Sequence, residues 1–225
     1  VTEKDVLYCD NHVLVVNKPA GLSTQCSDMH PQSLEEQARE WLKVKYNKPG
    51  NVFLHTVHRL DRPVSGAVLF ARTDKALSRL NAYMREKQHE KIYLAAIEGK
   101  MPSHEGILAH YHTHERFKAL VTLKPRPDAK KCMLKYSLAA VSGGFSLLEI
   151  KLETGRYHQI RAQLAEAGRP ILGDTKYGSG RKFPGEAIAL HHHGLTFVHP
   201  VSKEEIPVTA PLPETKIWEI FRNFA

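Results

Sequence analysis

The segment "VSGAVLFART", residues 64 to 73, is a continuous apolar run of strand length. A run this short, with no polar face to offer water, reads as a strand buried on both sides. Just before it, "HRLDR" packs His58, Arg59, Asp61 and Arg62 into five positions. One carboxylate therefore stands among basic groups at the edge of a core strand.

The rest of the chain supplies partners for that strand. "DVLYCD" and "HVLVVNKPAG" read as two short strands, with Pro19 and Gly21 marking the turn that follows. "PQSLEEQAREWLKVKY" predicts a helix opened by a capping box of Ser33 and Glu36, with Leu34, Ala38, Trp41, Leu42 and Lys45 on one stripe. "DKALSRLNAYMREKQ" predicts a second helix with Leu77, Leu80 and Met84 on one face, and "KIYLAAIEG" the next strand. "KCMLKYSLAAVSGGFSLLEIKLETG" alternates as two strands, and Gly143-Gly144 fits a hairpin turn. "GRYHQIRAQLAEAGRP" predicts a short helix ending at Gly168, "AIALHHHGLTFVHP" a strand and "ETKIWEIFRNF" a terminal helix. Strands outnumber helices without alternating with them, so the class is α+β with a mixed, mostly antiparallel β-sheet flanked by helices and loops.

With 225 residues and 42% hydrophobic content the chain has ample material for a core, and no apolar run approaches the length of a membrane span. Three cysteines without CxxC spacing argue against a disulfide framework and fit a reducing compartment. The net charge of +8 favours polyanionic partners. No linker interrupts the sequence, and a single catalytic domain over residues 1–225 is expected.

Two groups of residues carry chemistry. Asp61, just before a buried strand, must be solvated, paired or neutral. A nearby arginine such as Arg59 would keep it ionised, as a nucleophile or base; a structural ion pair at the strand end is the alternative. In "ETGRYHQIRAQL", Arg156, His158 and Arg161 bunch near the start of a helix. That arrangement suits an anion, or is a solvated basic helix face.

"HRLDRPVSG" together with "GRYHQIR" resembles the RluA-type family of RNA pseudouridine synthases. That family's first motif has Thr-Ser-Gly two residues after HRLD; here Val64 stands in place of the Thr, followed by Ser65 and Gly66. "VLVVNKPAGLST", "KIYLAAIEG", "RPILGDTKYG" and "IALHHHGLTFVHP" resemble further family segments in the same order, from about residue 6 to residue 212.

The resemblance implies a pseudouridine-synthase-like catalytic domain and an isomerase. Such an enzyme breaks the N1–C1′ bond of a uridine inside an RNA, turns the base and rejoins it through C5, with no cofactor and no metal. Asp61 would be the catalytic carboxylate, paired with Arg161, and Tyr93 would lie against the flipped base. Leu190 would wall the pocket, and Arg59 would enter the space that the base leaves. Arg62, Lys18, Arg156 and His158 are candidates for contact with the RNA backbone, and His192 stands where relatives commonly carry Ala. The chain reads as lacking an N-terminal S4-type RNA-binding domain, so the partner is a compact ribosomal or transfer RNA stem-loop. Residues 100 to 130 and the loop 178 to 186 are the places to look for specificity. A monomeric cytoplasmic protein with no membrane association is expected.

Two rivals stand beside this reading. A catalytically silent RNA-binding module of the same fold would lack Asp61 and Tyr93, and both are present. A glycoside or nucleoside hydrolase would need a second acid, for which Glu153 and Asp174 are the nearest candidates. His110, His112 and His114 in "HYHTH" share one strand face and have the residue type of a zinc site, though exposed strand histidines read the same way.

Overall fold

The structure is a computed structural model that describes residues 1–28, 30–183 and 186–224. It divides into two compact units, each built from separate stretches of chain: residues 1–91 with 192–211, and residues 92–191 with 212–225. Neither return is preceded by a composition break, which is why the sequence shows no boundary.

The first unit begins with β1 (Val6–Cys9) and β2 (Val13–Lys18), antiparallel with Cys9 opposite Leu14. Asp10 fixes their turn by accepting from the amides of His12 and Val13 at 2.8 and 2.7 Å. Helix α1 (Leu34–Lys45) follows, then β3 (His55–Thr56) and β4 (Ser65–Ala71). β4 pairs antiparallel with β2, from Val13 opposite Ala71 to Lys18 opposite Gly66. All seven β4 residues are buried, as its unbroken apolar run predicts. Helix α2 (Asp74–Arg85) starts at Thr73, whose side chain accepts from the Ala76 amide. Its Ala76 and Leu80 pack on Val13, Val15, Ala67, Leu69 and Ala71, one face of two alternating strands. The unit is completed by β10 (Leu190–Val198), from His192 onward, and by β11 (Glu205–Thr209), antiparallel to it. In α1, Ser33 accepts from the Glu36 amide, and Leu34, Ala38 and Leu42 are buried. Lys45 ends the expected stripe in water, over the Trp41 ring and paired with Glu3 at 2.6 Å.

The second unit is built on antiparallel strand pairs. Its strand order is β5 (His89–Glu98, from Ile92), β9 (Phe145–Leu152), β8 (Lys130–Ser142), β6 (Glu105–Glu115) and β7 (Lys118–Thr122). Gly143 and Gly144, both at positive φ, form the two-residue turn between Ser142 and Phe145. Helix α3 (Gln159–Glu166) packs on β6 and β7. It ends as the sequence requires: the Gly168 amide donates to Ala165 and the Arg169 amide to Leu164, with Gly168 at φ 72°.

The expected terminal helix is instead a 3₁₀ turn at Glu219–Phe224. Three residues per turn bring Trp218 and Phe221 to one side, and both are buried. Among the described residues no helix is long and apolar enough to cross a membrane.

Candidate active site

Asp61 lies on the loop from β3 to β4, and its neighbours hold that loop by main-chain atoms. The Thr24 hydroxyl donates to the Leu60 carbonyl at 2.9 Å and accepts from the Leu60 amide at 3.2 Å. On the other side, the Arg62 carbonyl accepts from the Gly21 amide at 2.8 Å and from Lys18 Nζ at 3.2 Å. The Val64 amide closes a turn onto the Asp61 carbonyl at 3.0 Å. That turn needs only the main chain of residue 64, which valine supplies as well as threonine. His58 Nε2 accepts from the Leu69 amide at 3.3 Å, tying the start of the loop to β4. Leu60 is buried, Asp61 and Arg62 are half-buried and Arg59 is exposed.

Lys18 departs from the expected role of phosphate contact. It is only 1% exposed, and its Nζ donates to the carbonyls of Pro19, Leu22 and Arg62 at 2.9, 2.7 and 3.2 Å. Burial pushes its pKa down to about 7, with the charge of Asp61 acting the other way and that of Arg62 adding to the fall. Three carbonyls match the three N–H groups of an ammonium; a neutral amine would leave one unserved. Lys18 is therefore a strut beneath the loop.

His192 is also interior. Its Nδ1 donates to the Ala67 carbonyl at 2.6 Å, and its ring stands edge-on to His58 at 5.3 Å. Gly66, at φ 118°, makes this approach possible: a Cβ there would lie 2.4 Å from the His192 carbonyl oxygen. His192 thus bears on the loop through His58. Burial, then Lys91, His192 and His89, hold the His58 imidazole well below its ordinary pKa.

In the second unit, Arg161 is 4% exposed on α3 and grips Asp174 with two donors, Nε to Oδ2 at 2.6 Å and Nη2 to Oδ1 at 2.9 Å. Asp174 follows Gly173, at φ 85°, where a Cβ would lie 2.7 Å from the Ala187 carbonyl. Tyr177, three residues on, accepts from the Ala119 amide at 2.8 Å. It also bonds His158 Nδ1 at 2.9 Å, while the Arg161 guanidinium lies over its ring at 5.0 Å. The GDTKYG segment thus fastens α3 to its surroundings. Tyr93 on β5 and Leu190 on β10 are buried, and Arg156 is exposed.

His158 is another residue expected to meet the RNA backbone. It opens α3 at φ 50°, is buried and stacks on Tyr157 at 3.8 Å. Burial, with Arg161 and Lys176 adding, drives its pKa down to about 3, so it brings no charge to a phosphate. The acids of the hydrolase reading are committed elsewhere, Asp174 to Arg161 and Glu153 to Lys135 at 3.0 Å. His110 bonds Gln163 and His112 bonds the Tyr157 carbonyl. Among the described residues no three His, Cys, Asp or Glu side chains are grouped to hold a metal ion. In the 178–186 loop, Pro184 and Gly185 lie outside the described residues.

Thr24, Lys18, Asp174 and Tyr177 are the supporting residues that sequence reasoning missed in role. All four lie inside segments already marked as family-like. The motif showed the place, while the partners Leu60, Arg62, Arg161 and Ala119 are 13 to 58 residues away.

With this geometry in place, residues 12–166 match the family profile described as RNA pseudouridylate synthase. The chain belongs to that family of isomerases. It is 33% identical to an uncharacterized RNA pseudouridine synthase of Bacillus subtilis, over 94% of this chain and 69% of the other. Identity is 34% to ribosomal large subunit pseudouridine synthase D of Xanthomonas campestris, over 93% and 66%. With tRNA pseudouridine synthase C of Vibrio parahaemolyticus it is 30%, over 99% and 95%. The solved structure of human RNA pseudouridylate synthase domain containing 4 shares the fold, with a TM-score of 0.78 at 20% identity over 94% of this chain and 89% of that one.

Proposed function

We propose that this protein isomerises a uridine to pseudouridine within a structured ribosomal or transfer RNA, with Asp61 as the catalytic carboxylate. The N1–C1′ bond breaks, the base turns, and a C5–C1′ bond forms; C5 loses a proton and N1 gains one, so the reaction balances without an electron carrier. The observation that carries this reading is the Asp61 loop, anchored by main-chain bonds at Leu60 and Arg62, on either side of the acid. A base inside a stem must leave the stack to be reached, at a cost of a few kcal/mol. Tyr93 is the platform for the flipped base, Leu190 its wall and Arg161 a further catalytic residue, roles supported by the motif match. Arg59, exposed two residues before Asp61, fills the space left by the base; Arg62 and Arg156 meet the RNA backbone. The protein acts as a monomer in the cytoplasm and needs neither cofactor nor metal. The named relatives include both a ribosomal and a transfer RNA enzyme, so both RNA pools are the substrates to test.

The test is pseudouridine mapping on total RNA from cells lacking the protein, complemented with wild type or Asp61→Asn, beside the same assay with purified protein. Loss of pseudouridine at one or a few sites, restored by wild type alone, is the expected result. Unchanged RNA in cells together with no isomerisation by the purified enzyme would leave the silent RNA-binding module as the better account.

A further inference from the structure

The turn between β6 and β7 joins Glu115 to Lys118 through two residues, Arg116 and Phe117. Tight hairpin turns with positive φ at the first central position favour glycine there. Here Arg116 takes φ 47°, an uncommon conformation for a side-chain-bearing residue. The chain thus holds backbone strain to present an arginine and a phenylalanine at the tip. Phe117 is 75% exposed. A large apolar ring in that position contributes nothing to the core.

Behind the tip lies an ordered row of rings. His114 and Tyr157 are 4.4 Å apart, and Tyr157 stacks on His158 at 3.8 Å and 17°. Both ends of Tyr157 are tied: its hydroxyl donates to the Phe117 carbonyl at 3.4 Å and its carbonyl accepts from His112 Nε2 at 2.8 Å. His158 in turn is held by Tyr177, whose hydroxyl also secures the Ala119 amide of β7. Tyr157 remains 40% exposed within this fixed frame. Arg116, Lys118, Arg156 and Lys176 surround the rings in sequence and are exposed; Glu115 is the one acid of the tip.

We infer that Phe117 and Tyr157 form a stacking platform for an unpaired base of the RNA substrate, in addition to the uridine that reacts, with the flanking cations meeting its phosphates. The inference rests on the RNA reading above. Aromatic faces accept any base, and cations beside them follow the backbone, a combination suited to single-stranded rather than duplex RNA. A rigid platform loses little freedom on binding, and the hydrogen bonds behind Tyr157 supply that rigidity. The preferred substrate then carries an unpaired nucleotide flanking its target loop.

The test compares wild type, Phe117→Ala and Phe117→Trp. One measurement is the affinity for a mixed-sequence single-stranded RNA of about 12 nucleotides, within the usual site size, and for a duplex of equal length. The other is kcat and KM on ribosomal and transfer RNA transcribed without pseudouridine. Phe117→Ala is expected to weaken the single strand about 5-fold to about 100-fold. It should leave the duplex unchanged and raise KM more than it changes kcat, while Phe117→Trp restores wild-type behaviour. Equal affinity of Phe117→Ala and wild type for the single strand overturns the platform, as does an equal loss on single strand and duplex. If wild type isomerises neither RNA, the catalytic reading fails, and the oligonucleotide comparison still decides the platform.

Discussion

Asp61 and Asp174 are held in opposite ways. Asp174 is 1% exposed, with both oxygens taken by one guanidinium. Asp61 is half-buried, on a loop whose anchors are main-chain atoms of residues 60, 61 and 62. A carboxylate that builds the scaffold is sealed beneath its counter-ion. The loop that carries Asp61, the carboxylate proposed to react, is placed through main-chain bonds on either side of it.

The sharpest way to break this comparison is to make the same kind of change in both. Asp61→Asn is expected to lower the isomerisation rate about 10²- to 10⁴-fold with a smaller loss of stability than the matching change at Asp174. Turnover and urea unfolding on the same preparation check both halves; a large stability loss would make Asp61 structural. Asp174→Ala should do the reverse first: an arginine left buried without its partner costs about 3–5 kcal/mol, read from the urea midpoint.

Thr24 tests the main-chain clamp. Thr24→Val leaves the Leu60 amide and carbonyl buried without that hydroxyl, at about 1–3 kcal/mol. Thr24→Ser keeps the bond and should keep both stability and rate. If Thr24→Val unfolds no more easily and turns over at the wild-type rate, the clamp does not position Asp61.

Acid tests both regions together. His58 in the first and His158 in the second have folded pKa values below the ordinary value for histidine, that of His158 at about 3. The unfolded chain takes up protons near pH 6.5 that the folded chain refuses, so stability rises with pH across this window and is lost on acidification below it. Each such imidazole contributes a slope of about 1.4 kcal/mol per pH unit, until its folded pKa is reached. Urea midpoints from pH 7 down to pH 4 should fall accordingly, and His158→Phe should flatten the curve.

What the sequence revealed was set locally. The β4 run, the Ser33 cap, the Gly143-Gly144 turn and the end of α3 at Gly168 each depend on residues within a few positions, and each formed. Asp61 and Arg161 stood out through motif, while the means of holding them did not. Lys18 read as a possible backbone contact because its Arg62 acceptor is 44 residues away. His158 read as a cation because nothing in "GRYHQIR" announces Tyr177, 19 residues on. The terminal segment has the composition of a helix, yet it forms a 3₁₀ turn, with Trp218 and Phe221 buried. β11, with Pro207 inside it, carries no strong strand pattern and gains its place by pairing with β10.

Gly66 carries a genetic consequence. A side chain there would meet the main chain of His192, not a neighbour that a second substitution can trim. A search for suppressors of Gly66→Ala would therefore return glycine at that codon rather than compensating changes nearby, and an evolving lineage has no stepwise path around it.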